Sequence, residues 1–122
     1  MKIFLMLVTC FFTTFCFSKD IDVLKKDEIN IKNFGFSYCL TKTKNKELLS
    51  EASLAMGGYF QEGSYEEPAY KNIKTFIDKY ISKNNDVYES TGNTAILMNC
   101  LSMYNSHEYN KLITGQNSYW IK

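Results

Sequence analysis

Residues 64–82, SYEEPAYKNIKTFIDKYIS, decide the fold class. Tyr70, Ile73, Phe76, Ile77, Tyr80 and Ile81 recur at the spacing of one helix face, while Lys71, Lys74, Asp78 and Lys79 fall on the other. The spacing predicts an amphipathic helix running from Ser64 or Glu66 to Ser82. Ser64 and Glu67 stand at capping-box spacing, and Pro68 then falls in the first turn, where its missing N–H costs least.

Upstream, AMGGYFQEGSYEEPAY (55–70) leads into this helix through a glycine pair. Leu48, Ala52, Ala55 and Tyr59 form one helical row and Leu49, Met56 and Phe60 the next, with Asn45 placed to cap the element. Gly57 and Gly58 read as a structural turn, letting the helix bend sharply or a neighbour pass close, with Tyr59 and Phe60 pinning the corner into the core. They do not read as a phosphate cradle, which needs a preceding strand and a different glycine spacing.

The flanking segments follow the same pattern. Lys19–Lys26 is polar and lysine-rich, a chain end expected to fray. From Asp27 to about Lys42 the apolar residues fit two periods. Phe34, Phe36, Tyr38 and Leu40 alternate like a strand, while Ile31, Phe34 and Tyr38 fit a helix; with no partner strand evident, helix is assigned. Lys83–Asn93, KNNDVYESTGN, carries turn-forming residues without periodicity and is the longest irregular stretch of the interior. TAILMNCLSMY (94–104) is apolar except at Asn99 and Ser102, which predicts a central, buried helix. Ser106 can cap a short fifth helix bearing Tyr109, Leu112 and Ile113 and ending at Gly115. The result is an all-α class, a small bundle of about five helices without internal repeats.

Met1–Lys2 followed by an apolar run to Phe17 has the form of a secretory signal peptide, with cleavage expected after Ser18. The run is shorter than the roughly 20 residues of a spanning helix, so no membrane anchor is expected after cleavage. Removal of 18 of the 122 residues leaves 104, one domain over residues 19–122. The chain has no arginine, and loss of Lys2 leaves 13 of its 14 cationic residues against 13 acidic ones. That neutrality argues against nucleic acid and anionic lipid as partners. Of four cysteines, Cys39 and Cys100 lie beyond the leader; in an exported chain the pair reads first as one disulfide between the first and fourth helices.

Three function classes are open to such a chain. A cysteine enzyme would pair Cys39 or Cys100 with His107, the one histidine, but an oxidised pair leaves no thiolate. A metal site would need a ligand cluster that the spacing does not supply, and no cofactor is implied. The acidic pairs Asp27–Glu28 and Glu66–Glu67 fall at expected helix starts, where acidic residues favour the dipole. Aromatic residues, at 16%, exceed what so small a core can take up, and interfaces favour tyrosine and tryptophan. Composition therefore favours a binding protein, for which a small envelope adaptor is one reading.

Four pieces in order, FSYCL (36–40), AMGGYFQEGSY (55–65), AYKNIKTFIDKYI (69–81) and NCLSMYNSHEY (99–109), resemble the type VI secretion amidase immunity proteins of Gram-negative bacteria. Tyr109 departs from that pattern, which usually has an aliphatic residue there. The resemblance implies a periplasmic helical protein, usually a homodimer, that occludes the cleft of a secreted peptidoglycan amidase; the amidase resembles a papain-type cysteine hydrolase. It also implies that Cys39 and Cys100 form the family's disulfide and that this chain has no catalytic residues of its own. Asp86, Tyr88, Glu89 and Ser90, in the irregular stretch, are the expected effector-binding residues: Tyr88 to fill apolar space and Glu89 to face cationic groups.

Overall fold

The computed structural model describes residues 2–122, with side chains described from Lys19 onward; the leader read over 1–18 therefore lies outside the described side chains. The chain forms α1 (Lys2–Leu40), α2 (Lys46–Gln61), α3 (Glu67–Lys83), α4 (Ile96–Asn105) and α5 (His107–Gly115), closed by a 3-10 turn at Gln116–Tyr119. Among the described residues, extended pairing is limited to two isolated bridges, Tyr65 with Trp120 and Val87 with Thr94. The all-α, five-helix class follows directly from the apolar periods of α2, α3 and α5.

The ambiguous first segment is helical. Ile31, Phe34, Gly35 and Cys39 are buried at helical spacing, whereas Phe36, Tyr38 and Leu40 are only half-buried, so the alternation carries no strand. Lys19–Lys26, expected to fray, continues α1 with mostly exposed side chains. It is α1, not α4, that forms the hub, since it packs against α2, α3, α4 and α5. The core joins Ile31 and Phe34 of α1 to Tyr70, Ile73 and Ile77 of α3, Cys100 and Met103 of α4, and Tyr109 and Ile113 of α5.

The Cys39–Cys100 disulfide fastens the end of α1 to the middle of α4; its Cα atoms are 5.7 Å apart and the cysteines 61 residues apart in sequence. Both cysteines are 0% exposed. Chain entropy assigns a closed loop of that length about 4 kcal/mol.

Two glycines are required by close packing, and neither belongs to the Gly57–Gly58 pair. A Cβ at Gly35 would overlap the Tyr109 hydroxyl and lie 2.8 Å from Ile73 Cγ2. That space lets the Tyr109 ring lie buried against α1 and donate its hydroxyl to the Lys32 carbonyl at 2.8 Å. Burial pushes the Tyr109 phenol well above its ordinary pKa, with a smaller push from Tyr104. Tyr109 is thus accommodated by a missing side chain on the helix it faces. The corner before α3 is made by Gly63, where a Cβ would overlap the Tyr70 hydroxyl. Gly57 and Gly58 instead lie inside α2, and a Cβ added at either would meet nothing within 4 Å, so neither a turn nor a close approach requires them. Phe60, expected to pin the corner, is 51% exposed, though its ring meets the edge of Tyr70 at 4.8 Å.

Caps divide in the same way. Asn45 Oδ1 accepts the Leu48 amide at 2.8 Å and Ser106 Oγ accepts the Tyr109 amide at 3.2 Å, as the sequence predicts. The capping box at Ser64 and Glu67 does not form. Its segment is taken up by the C-terminal tail: Ile121 N donates to Ser64 O at 2.8 Å and Glu66 N to Tyr119 O at 2.9 Å. Glu66 becomes the N-cap without a side-chain bond, and Pro68 stays in the first turn. Asp27 and Glu28, expected at a helix start, lie inside α1 and hold the tail, accepting from Trp120 Nε1 at 2.8 Å and Asn117 Nδ2 at 2.6 Å respectively.

Candidate functional site

Between α3 and α4 the chain forms a compact hairpin, residues 84–95. Tyr88 N donates to Asn93 O at 2.9 Å and Gly92 N to Tyr88 O at 2.7 Å, around a turn at Glu89–Thr91. Gly92 supplies the one positive φ of the described residues, +70°, which a residue with a side chain rarely adopts. Asp86 joins the hairpin to α4, its carbonyl accepting from Ala95 N at 3.0 Å and Asn99 Nδ2 at 3.4 Å. Asp86, Tyr88, Glu89 and Ser90 therefore all lie on one exposed hairpin, Asp86 at its base and Glu89 and Ser90 at its tip.

Sequence reasoning missed the surface beside it. α4 is not buried on all sides: Leu97, Met98 and Leu101 are 50%, 58% and 42% exposed, while the polar Asn99 is 4% exposed. A ten-residue helix on the rim of a bundle turns only one face inward, here Asn99, Cys100 and Met103. Asn99 is tolerated inside because its amide reaches the Asp86 carbonyl. Leu97, Met98 and Leu101 thus form an exposed apolar strip on α4, and the hairpin that leads into it exposes Val87 at 55% and Tyr88 at 40%. A buried asparagine within a leucine- and methionine-rich run is the signal that could have revealed an inverted helix.

A cleft of about 430 Å³ separates the hairpin from the α1–α2 turn, lined by Lys42, Thr43, Lys44 and Asn45 on one side and Gly92, Asn93, Thr94 and Ile96 on the other. Lys42 is held in place there. Its ammonium lies 2.8 Å from Asp78 and donates to the Tyr38 hydroxyl at 3.0 Å. Partial burial would lower the Lys42 pKa, but the bonds to Asp78 and Tyr38 outweigh it and raise it. A second groove of about 520 Å³, under Phe60 and Met56, is floored by Phe34 and Tyr70 and edged by Lys71 and Lys74.

The residues of the cysteine-enzyme reading are not assembled for catalysis. Cys39 and Cys100 are bonded to each other and buried, so neither offers a thiolate, and His107 stands exposed in the first turn of α5. Among the described residues no three His, Cys, Asp or Glu side chains cluster as a metal site would require.

No curated protein matches the chain. Residues 29–113, from the buried stretch of α1 through the hairpin to the last core residue of α5, match the family model Tai4, described as type VI secretion system (T6SS) amidase immunity protein, and the chain belongs to that family.

Proposed function

We propose that this protein acts in the periplasm as a stoichiometric inhibitor of a single cognate secreted peptidoglycan amidase, placing the hairpin over the amidase cleft. Immunity proteins of its family are inhibitors rather than enzymes. The observation that supports the reading most is the exposed hairpin at residues 84–95, internally hydrogen-bonded and leading directly into α4 with its exposed apolar strip, on a scaffold tied by a buried disulfide. An occluding inhibitor gains affinity from such preorganisation, because little ordering entropy remains to be lost on binding. In the complex, Tyr88 fills apolar space and Glu89 faces cationic groups, while Val87, Leu97 and Met98 widen the contact. The homodimer that the family resemblance implies has a separate surface available. Leu54 is 71% and Phe60 51% exposed on α2, which packs mainly on α1.

The test is to titrate the type VI secreted peptidoglycan amidase of the producing cell with the unreduced protein and follow solubilisation of purified peptidoglycan. Inhibition should saturate at one chain per amidase. Tyr88→Ala combined with Glu89→Ala should weaken it by at least about 10-fold, as loss of an aromatic anchor does, with the melting temperature unchanged. Undiminished inhibition by that variant would show that the hairpin is not the contact. Failure of the wild-type protein to inhibit would remove the functional reading itself.

A further inference from the structure

α4 and the hairpin are held to the bundle in two unequal halves. The C-terminal half of α4 has its own ties: Met103 is buried, Tyr104 donates its hydroxyl to Asn33 Oδ1 at 3.0 Å, its ring meets Phe36 edge-on at 5.4 Å, and Lys32 lies over that ring at 4.0 Å. The N-terminal half has few. Ala95, at the N-cap, makes no side-chain capping bond, and the first turn holds no acidic residue. Leu97, Met98 and Leu101 face outward, so the apolar hold of that half comes from Ala95 and Cys100, which are buried, and from Ile96, which packs partly buried against the core. At ten residues, α4 is shorter than the roughly 12–15 that an isolated helix needs to persist in water. The hairpin depends on this half in turn, since beyond its own bonds it is joined to Ala95 and Asn99 through the Asp86 carbonyl and to the end of α3 through Asn84. The disulfide enters at the boundary between the two halves.

We propose that the Cys39–Cys100 bond is a latch for the partner-binding face. Oxidised, it holds the hairpin and the first half of α4 in place; reduced, that segment loosens while α1, α3 and α5 stay packed. Closure takes two electrons and two protons from the two thiols and passes them to a disulfide oxidant, which leaves as a dithiol; a dithiol reductant reverses the exchange and leaves as its disulfide. The chain thereby gains its inhibitory surface only in an oxidising compartment, and inhibition becomes redox-sensitive well before the fold does. This rests on the hairpin being the surface that meets the amidase, as proposed above.

Hydrogen exchange separates the latch from an ordinary staple. It compares the oxidised protein, the protein reduced with dithiothreitol, and the Cys39→Ala/Cys100→Ala variant. Amides from Val87 to Cys100 should exchange at least about 10-fold faster in the latter two, while those of Ile73–Ile77 and Tyr109–Ile113 change by less than about three-fold, a local rather than global opening. Equal loss of protection in α3 and α5, including outright unfolding of both reduced forms, would overturn the proposal. So would unchanged exchange in the hairpin. A parallel titration against the amidase should show weaker binding by the reduced protein. A loosened hairpin with undiminished binding would sink both the gating and the hairpin contact, whereas uniform exchange with a binding defect in the Tyr88/Glu89 variant would sink the latch alone.

Discussion

Two tyrosine-bearing regions of this protein are built on opposite principles. Around Tyr109, a ring 0% exposed stacks near Phe76 at 5.8 Å, donates to a main-chain carbonyl and fills the space that Gly35 leaves open. Around Tyr88, a ring 40% exposed sits on a hairpin whose bonds are almost all internal to its own loop. The first region turns aromatic surface into stability; the second leaves it uncovered, which stability alone does not explain. The contrast supports the proposal that a partner meets the face where apolar residues point outward and a polar one, Asn99, points in.

The sharpest way to break the contrast is to truncate both rings. Tyr109→Ala should cost about 3–5 kcal/mol in denaturant unfolding, as large aromatic deletions in cores do. Tyr88→Ala should stay within about 0.5 kcal/mol of wild type in the same measurement. Comparable losses from the two would mean that the hairpin is part of the core after all. Next in size, Gly35→Ala should cost about 1–3 kcal/mol by overpacking, and Tyr109→Phe in the same chain should recover part of it by removing the overlapping hydroxyl. Strict additivity of the two changes in a double-mutant cycle would show that they are not in contact.

Smaller effects sharpen the picture elsewhere. Gly58→Ala should raise stability by about 0.5–1 kcal/mol, because an exposed glycine inside α2 has open space around it and only its conformational freedom to lose. A lower melting temperature would reinstate the close approach that the glycine pair suggests in the sequence. Smallest of all, Asp78→Asn should cost no more than about 0.5 kcal/mol, since the pair with Lys42 is solvent-exposed. Partial burial would raise the Asp78 pKa, but the bonds from Lys42 and Tyr38 outweigh it and hold it below the ordinary carboxylate value. Its contribution is therefore present above that value and should fade as pH falls through the folded-state pKa, a slope that unfolding curves of the Asn variant should lack.

Much of the scaffold was legible from local patterns. The rows of α2 and α3, the caps at Asn45 and Ser106 and the end of α5 depend on neighbours a few residues away, and the Cys39–Cys100 pair that the sequence suggested is bonded. The four residues expected on the irregular stretch do share one hairpin, because turn chemistry at Glu89–Gly92 is itself local. What could not be read were relations across the chain. Ser64 and Glu67 have the spacing of a capping box, yet the tail from Tyr119 to Ile121 bonds that segment instead. Asp27 and Glu28 look like helix-start acids and turn out to hold Trp120 and Asn117.

Sequence by itself determined the helical class and the element order, because helix periodicity and capping act within short windows of chain; the structure then pairs Cys39 with Cys100 of its four cysteines. Tertiary structure alone decided that α1 is the hub, that α4 shows its leucines to solvent and hides an asparagine, and that Gly35 rather than the Gly57–Gly58 pair makes room for a neighbour. The physical reason is that burial is a property of where an element sits. An apolar run specifies that some surface must be covered, but only the packed bundle specifies which surface remains for a partner.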